Sequence, residues 1–185
     1  MIIKKYFITS FIVTTLIFYL LIFLLNTTLN QDQENYTSKY KKIDAKTILD
    51  KEKNKDFVVI IFSTSCPGVS IFMPDIKRDV SYLKKNDISY YLINDDPISA
   101  QTDNSIENLL KEYKIDTPVY IFNSNRYKKS GGFFNSKKRY ADFVKELCNS
   151  DGNGLGYAQY FVFKKAKFIQ AIYNPPEGIQ AIFQD

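Results

Sequence analysis

The residues with the most chemical potential in this chain are its two cysteines, Cys66 and Cys148. Cys66 stands in Ser63-Thr64-Ser65-Cys66-Pro67-Gly68-Val69, after the apolar run Phe57-Val58-Val59-Ile60-Ile61-Phe62 and before an apolar-striped segment. A thiol placed between a strand end and a helix start sits under backbone N–H groups and the helix dipole. Both favour the thiolate and lower the thiol pKa from about 8.5. A thiolate there attacks a disulfide and forms a mixed disulfide. In a C-x-x-C pair the second cysteine resolves that intermediate, and here that position is Val69. Three readings follow. Cys148 resolves, which needs the two Cα atoms within about 7 Å. Or Cys66 works alone and an external thiol completes the cycle. Or Cys66 is inert, as a small buried hydrophobe or locked to Cys148; closing that loop of roughly 80 residues is worth about 4–5 kcal/mol in the entropy model.

Composition excludes other chemistries. The chain has no histidine, so Cys-His and Ser-His catalysis and histidine metal sites are absent. Two cysteines do not make a thiolate zinc site. The glycine-rich stretch 150–156 does not open a helix after a strand, so it is no phosphate loop, and it lacks the later acidic ligands of a calcium loop. No metal site and no cofactor are expected. The net charge is +5, but the lysines are scattered among acids, so a solvated surface is expected and no nucleic-acid partner.

The elements that must position Cys66 begin at the membrane. Residues 6–25 are uncharged and apolar, long enough to cross a bilayer as one N-terminal transmembrane helix. Lys4 and Lys5 precede the segment and Asp32 and Glu34 follow it, which keeps residues 1–5 cytoplasmic and sends the rest outside. No small-residue cleavage site follows, so an uncleaved anchor is expected rather than a signal peptide. Residues 26–43 then form a stalk, and a domain occupies 44–185.

Within the domain, 46–51 is a short helix and 57–63 a strand buried on both faces. Residues 71–85 form a helix with Phe72, Ile76, Val80 and Leu83 on one stripe and Pro74 inside, where it kinks or tightens the first turn. Residues 88–94 form a second strand, parallel to the first. A helix over 103–114 is capped by Thr102 or Asp103. A strand over 118–123 and a helix from Asn135 or Ser136 to Cys148 follow, the helix burying Tyr140, Phe143, Val144 and Leu147. Residues 157–173 form a hairpin turning near Lys165-Ala166, and 177–183 a last helix.

This order resembles the thioredoxin fold, and most closely the membrane-anchored, extracytoplasmic thioredoxins of the TlpA or redoxin type. Their motif W-C-x-x-C-x-x-x-M-P aligns with residues 65–74: Cys66, Pro67, Met73 and Pro74 match, while Ser65 replaces the tryptophan and Val69 the resolving cysteine. Their phrase P-T-x-x-x-F-x-x-x-G-K aligns with the stretch from Ala158, which stands for the cis-proline, with Ala166 for the glycine. Thr117-Pro118 is the rival cis-proline position. The resemblance implies an α/β domain, a thioredoxin-like mixed sheet flanked by helices, with an inserted strand and helix at about 116–150. It implies Cys66 as nucleophile, Cys148 as the candidate second thiol, and Pro67, Gly68, Ala158 and Gln159 as the platform for a protein thiol or disulfide substrate. It implies a single-pass bacterial inner-membrane protein whose domain faces the periplasm. The alternative is a catalytically inactive thioredoxin-like binding or scaffold module for an envelope partner, using the groove beside Cys66 and Tyr120, Phe122, Tyr127, Phe133 and Phe134, although Tyr120 and Phe122 read more readily as core.

Overall fold

A computed structural model describes residues 14–21, 36–123, 125–127, 135–149, 159–175 and 177–183. The chain divides into two compact units, Met1–Thr37 and Ser38–Asp185. In the first, residues 14–21 are helical. Among the described residues no helix is long and apolar enough to cross a membrane; the rest of the span expected over 6–25 lies outside them.

The second unit is built on six strands: β1 (Lys41–Ile43), β2 (Phe57–Phe62), β3 (Ser89–Asn94), β4 (Val119–Phe122), β5 (Tyr160–Lys164) and β6 (Lys167–Ile172), in the order β1-β4-β3-β2-β5-β6. The first four run parallel to their neighbours, β5 runs antiparallel to β2, and β6 antiparallel to β5. Among its described residues are five helices: α1 (Ala45–Lys51), α2 (Val69–Lys85), α3 (Ala100–Tyr113), α4 (Asn135–Cys148) and α5 (Gln180–Phe183).

β2 is central and buried at every position, as its unbroken apolar run requires. The strand period of two divides its side chains between two cores. Phe57, Val59 and Ile61 join Tyr91, Ile93, Phe161 and Phe163 under α1 and α4. Val58, Ile60 and Phe62 join Leu92, Tyr160 and Val162 under α2 and α3. Phe57 and Phe163, paired across the strands, stack at 4.2 Å between ring centroids.

Several boundaries depart from the sequence expectation. Residues 41–43, expected at the end of a stalk, form the edge strand β1, and Ser38 Oγ and Lys39 N donate to the Asp103 carboxylate at 2.7 and 2.9 Å. Asp103 is therefore inside α3 and buried, not its cap. Ser99 caps α3, accepting from Thr102 N at 3.1 Å. α2 starts at Val69, two residues early, and runs through Pro74. Proline cannot donate to the Ser70 carbonyl one turn back, and the Tyr113 hydroxyl donates to it instead at 3.2 Å. The last helix is one turn, Gln180–Phe183. β4 lies between β1 and β3, inside the sheet. The hairpin turns at Lys165 and Ala166, as expected, with φ of 50° and 59°.

Candidate functional site

The parallel strands β1 to β4 bring their carboxyl ends to one edge of the sheet, where the chain after β2 and after β3 comes together. Asp95 N donates to Phe62 O at 3.0 Å, joining those two exits. Ser63 to Gly68 lead from β2 to α2, and Cys66 is exposed on this loop. Its carbonyl accepts from Val69 N at 3.0 Å, the turn that opens α2. Pro67 is exposed beside it and Gly68 is the N-cap, with no side-chain cap bond. A Cβ on Gly68 would meet Phe72 at 3.5 Å, an ordinary contact, so glycine is not demanded by space. Val69 packs against the core under α2.

One carboxylate organises the loop. Asp96 Oδ1 accepts from the Ser63 hydroxyl at 2.5 Å and the Ser65 hydroxyl at 2.6 Å. Its Oδ2 accepts from Thr64 N at 2.5 Å, Thr64 Oγ1 at 2.6 Å, Ser65 N at 3.3 Å and Asn94 Nδ2 at 3.1 Å. Asp96 is 7% exposed. Burial works against its charge, but the donors from Ser63, Ser65, Thr64 and Asn94 outweigh it and hold the carboxyl below its usual range.

Its neighbour behaves in the opposite way. Among the described residues, Asp95 Oδ1 is buried without a partner. Burial, and then the charge of Asp96, push the Asp95 carboxyl up to about 7, with Arg139 pulling against them. Arg139 comes from α4, is 4% exposed, and donates from Nη2 to the Asp95 carbonyl at 3.2 Å. Its Nε has no partner among the described residues, and burial lowers its pKa while Asp95 and Asp96 oppose that. Sequence reasoning missed all three residues. The acidic pair ending β3 carried a signal, because α/β sheets gather chemistry outside the carboxyl ends of their strands.

The other expected site residues are placed unevenly. Cys148 closes α4 with its side chain in the core under α1 and α4, 7% exposed, and burial pushes its thiol up to about 12. Both cysteines are free, so the structural disulfide that one of the three readings allowed is not formed. Gln159 reaches the same sheet edge: its carbonyl accepts from Ile61 N at 2.8 Å, and its Oε1 is buried without a partner among the described residues. Ala158 lies outside the described residues. The rival position Pro118 precedes β4, at the opposite end of the parallel strands from Cys66, and no peptide bond among the described residues is cis. Phe122 and Tyr127, offered as a contact surface, are core residues; Tyr120 is partly buried against them, and Phe133 and Phe134 lie outside the described residues. Among the described residues no cluster of histidine, cysteine, aspartate or glutamate is fit for a metal ion.

No protein-family model matches the chain, and no curated protein matches it. Solved structures do. The thioredoxin domain of a thiol-disulfide oxidoreductase from Bacteroides vulgatus superposes with a TM-score of 0.50 at 12% identity, covering 74% of this chain and 82% of that one. A thiol:disulfide interchange protein of the thioredoxin family from Chlorobium tepidum gives 0.45 at 17% identity, covering 68% and 74%. StoA from Bacillus subtilis gives 0.42 at 11% identity, covering 70% and 81%. At 12% identity the first of these likenesses speaks for the fold. With its mixed sheet and Cys66 at the strand-to-helix junction, the chain has the thioredoxin-like fold.

Proposed function

We propose that this protein exchanges thiols and disulfides on protein substrates through Cys66, as a single-cysteine thioredoxin-like oxidoreductase. The observation that carries this reading is the exposed, unbonded Cys66 at the start of α2, on the edge where β2 and β3 end. The Cys66 thiolate attacks one sulfur of a substrate disulfide. The substrate's S–S bond breaks, a mixed disulfide forms, and the other substrate sulfur leaves as a thiolate. Resolution requires a second thiolate. Val69 has none, and the buried Cys148, with its thiol pushed up to about 12, is a poor nucleophile at neutral pH. A low-molecular-weight thiol attacks the mixed disulfide, frees Cys66 as thiolate and leaves joined to the substrate sulfur. Pro67, Gly68, Ala158 and Gln159 are the proposed substrate platform. The proposed setting is the periplasmic face of a bacterial inner membrane, with residues 6–25 as anchor.

The test is reduction of a disulfide-bonded peptide by the full-length protein with a small thiol as turnover reagent. Cys66→Ser should abolish the protein-dependent rate and Cys148→Ala should keep it. Full activity in Cys66→Ser would refute the reading. One observation favours the alternative of a non-catalytic binding module: Ile71, in the first turn of α2, is 72% exposed, and Tyr173, edge-on to Phe72 at 5.5 Å, is 57% exposed. Exposed apolar side chains on and against the first turn of α2 suit docking. A partner retained equally by wild type and Cys66→Ser, with no exchange activity in either, would select that alternative.

A further inference from the structure

We propose that Asp96 is the positioning residue of the Cys66 site: its carboxylate, supplied from the end of β3, holds the loop that carries the thiol from the end of β2. The inference starts from what the loop lacks. Ser65 and Cys66 are exposed, Ser63 and Thr64 only partly covered, and none of these four side chains belongs to either hydrophobic core. Apolar packing therefore does not fix the segment between Phe62 and the first turn of α2. The side-chain hydrogen bonds described for Ser63, Thr64 and Ser65 all end on Asp96 or within the triplet itself, where Ser65 N donates to the Ser63 hydroxyl at 3.2 Å.

The arrangement is directional. Oδ1 gathers the hydroxyls of residues 63 and 65, which flank the triplet, and Oδ2 gathers the amide and hydroxyl of residue 64 between them. A chain of alternating donors is thus wrapped around both oxygens of one carboxylate, and Cys66 is the next residue. Bonds to an ionised acceptor are shorter and stronger than neutral ones, and four of these lie at 2.5–2.6 Å. Asp96 is itself fixed: its N donates to Asn94 Oδ1 at 3.1 Å, and Asn94, fully buried, donates back to Oδ2 and to Phe62 O. The loop is therefore referenced to the β2–β3 pair at the centre of the sheet. Ser65 stands where the resemblance places a large aromatic residue, so polar wrapping takes over the support that packing would give. Thiol-disulfide exchange needs three sulfurs in line. A loop free to swing would keep a reactive thiol but lose the alignment that a bulky substrate demands.

The test uses the full-length protein as wild type, Asp96→Ala, Asp96→Asn and the pair Ser63→Ala with Ser65→Ala, which leaves Asp96 in place. Two readouts are taken. The first is amide hydrogen exchange at Thr64 and Ser65, whose N–H groups donate to Asp96. The second is the rate at which Cys66 forms a mixed disulfide with a disulfide-bonded peptide and with the small reagent 5,5′-dithiobis(2-nitrobenzoate). In both, Cys66 thiolate displaces a thiolate from the reagent's own disulfide, so no other oxidant is needed. In Asp96→Ala, exchange at Thr64 and Ser65 should rise about tenfold or more while β2 amides stay unchanged. The peptide reaction should fall about tenfold, and the small-reagent reaction should change by less than about threefold. Asp96→Asn, which keeps one acceptor oxygen, should lie between, and the serine pair should follow the same direction by less. Unchanged exchange at Thr64 and Ser65, or an equal fall with both reagents, would overturn the proposal. Where Asp96→Ala does not fold, the serine pair decides by the same criteria. The kinetic arm rests on the proposed exchange function, and the hydrogen-exchange arm does not. A wild type inert toward both disulfides would sink that function and leave the exchange comparison to judge Asp96.

Discussion

Replacing Asp95 with asparagine should stabilise the protein more at pH 8 than at pH 5. The Asp95 carboxyl sits up at about 7 against an ordinary 3.8, through burial and the adjacent charge of Asp96. The folded state therefore keeps a proton that the unfolded chain has already released. For a group raised in this way, its stabilising contribution is complete below about pH 4 and is lost as pH rises through about 7. At about 1.4 kcal/mol per tenfold change in binding, the rise from 3.8 to about 7 caps that loss at about 4 kcal/mol. The pull of Arg139 is already contained in that rise, so Asp95→Asn, which removes the titration, should gain about 2–3 kcal/mol more at pH 8 than at pH 5. The assay is urea unfolding of wild type and Asp95→Asn at half-unit steps from pH 5 to pH 8. The difference between the two curves cancels every other titrating group that behaves alike in both. It should grow steadily with pH and level off above about 7.5. Parallel curves across the whole range would refute the assignment, and a variant less stable at pH 8 would mean that Arg139 needs the Asp95 charge more than burial opposes it.

Two further outcomes test neighbouring claims. Cys148→Ala should leave disulfide exchange within about twofold of wild type and cost about 1 kcal/mol in urea unfolding, because the side chain fills core space and takes no part in chemistry; a tenfold loss of exchange would restore it as the resolving thiol. Ala166→Gly should stabilise the hairpin by about 0.5–1 kcal/mol, since Ala166 holds a left-handed φ of 59° that glycine adopts without strain; destabilisation would show that the partly buried methyl outweighs the backbone, and the midpoint of thermal unfolding decides it.

What the sequence revealed follows from how local each cause is. The run 57–62 announced a strand buried on both faces because its apolar character is continuous, and the pairing of β2 with β3 followed from the helix between them. The turn at Lys165-Ala166 was legible from two flanking strand patterns. β1 was not, since three residues with two exposed lysines carry no strand pattern; its pairing with β4 lies far along the chain. The burial of Cys148 was legible in principle. It falls four residues after Val144 and next to Leu147 on the stripe that α4 turns inward, and a residue on that stripe meets core, not solvent. The acid pair after β3 stood at a suggestive place, but what Asp96 and Arg139 bond to was not legible, because their partners lie about thirty and forty residues away and no period or motif links them. Only folding brings the end of β3 and a face of α4 to the loop before Cys66.

The two acids at the end of β3 divide between them the two possible fates of a buried carboxylate. Asp96 is surrounded by six donors, so its lost hydration is replaced and its charge is retained. Asp95, one residue on the other side of the same turn, has an oxygen with no donor and a like charge beside it, and the only cation described near it gives its carbonyl, not its carboxylate, a hydrogen bond. A buried acceptor left without a donor costs about 1–3 kcal/mol, more for a charged group. The edge that carries Cys66 is therefore well ordered at its loop and poorly compensated just behind it. Stability there is limited by electrostatics and not by packing, since the β2 side chains leading into the edge are sealed in both cores. A substitution aimed at stabilising this protein should thus act on Asp95 before any core position. The same substitution leaves untouched the carboxylate that orders Ser63, Thr64 and Ser65. Loop order and charge cost reside in adjacent residues and can be changed one at a time.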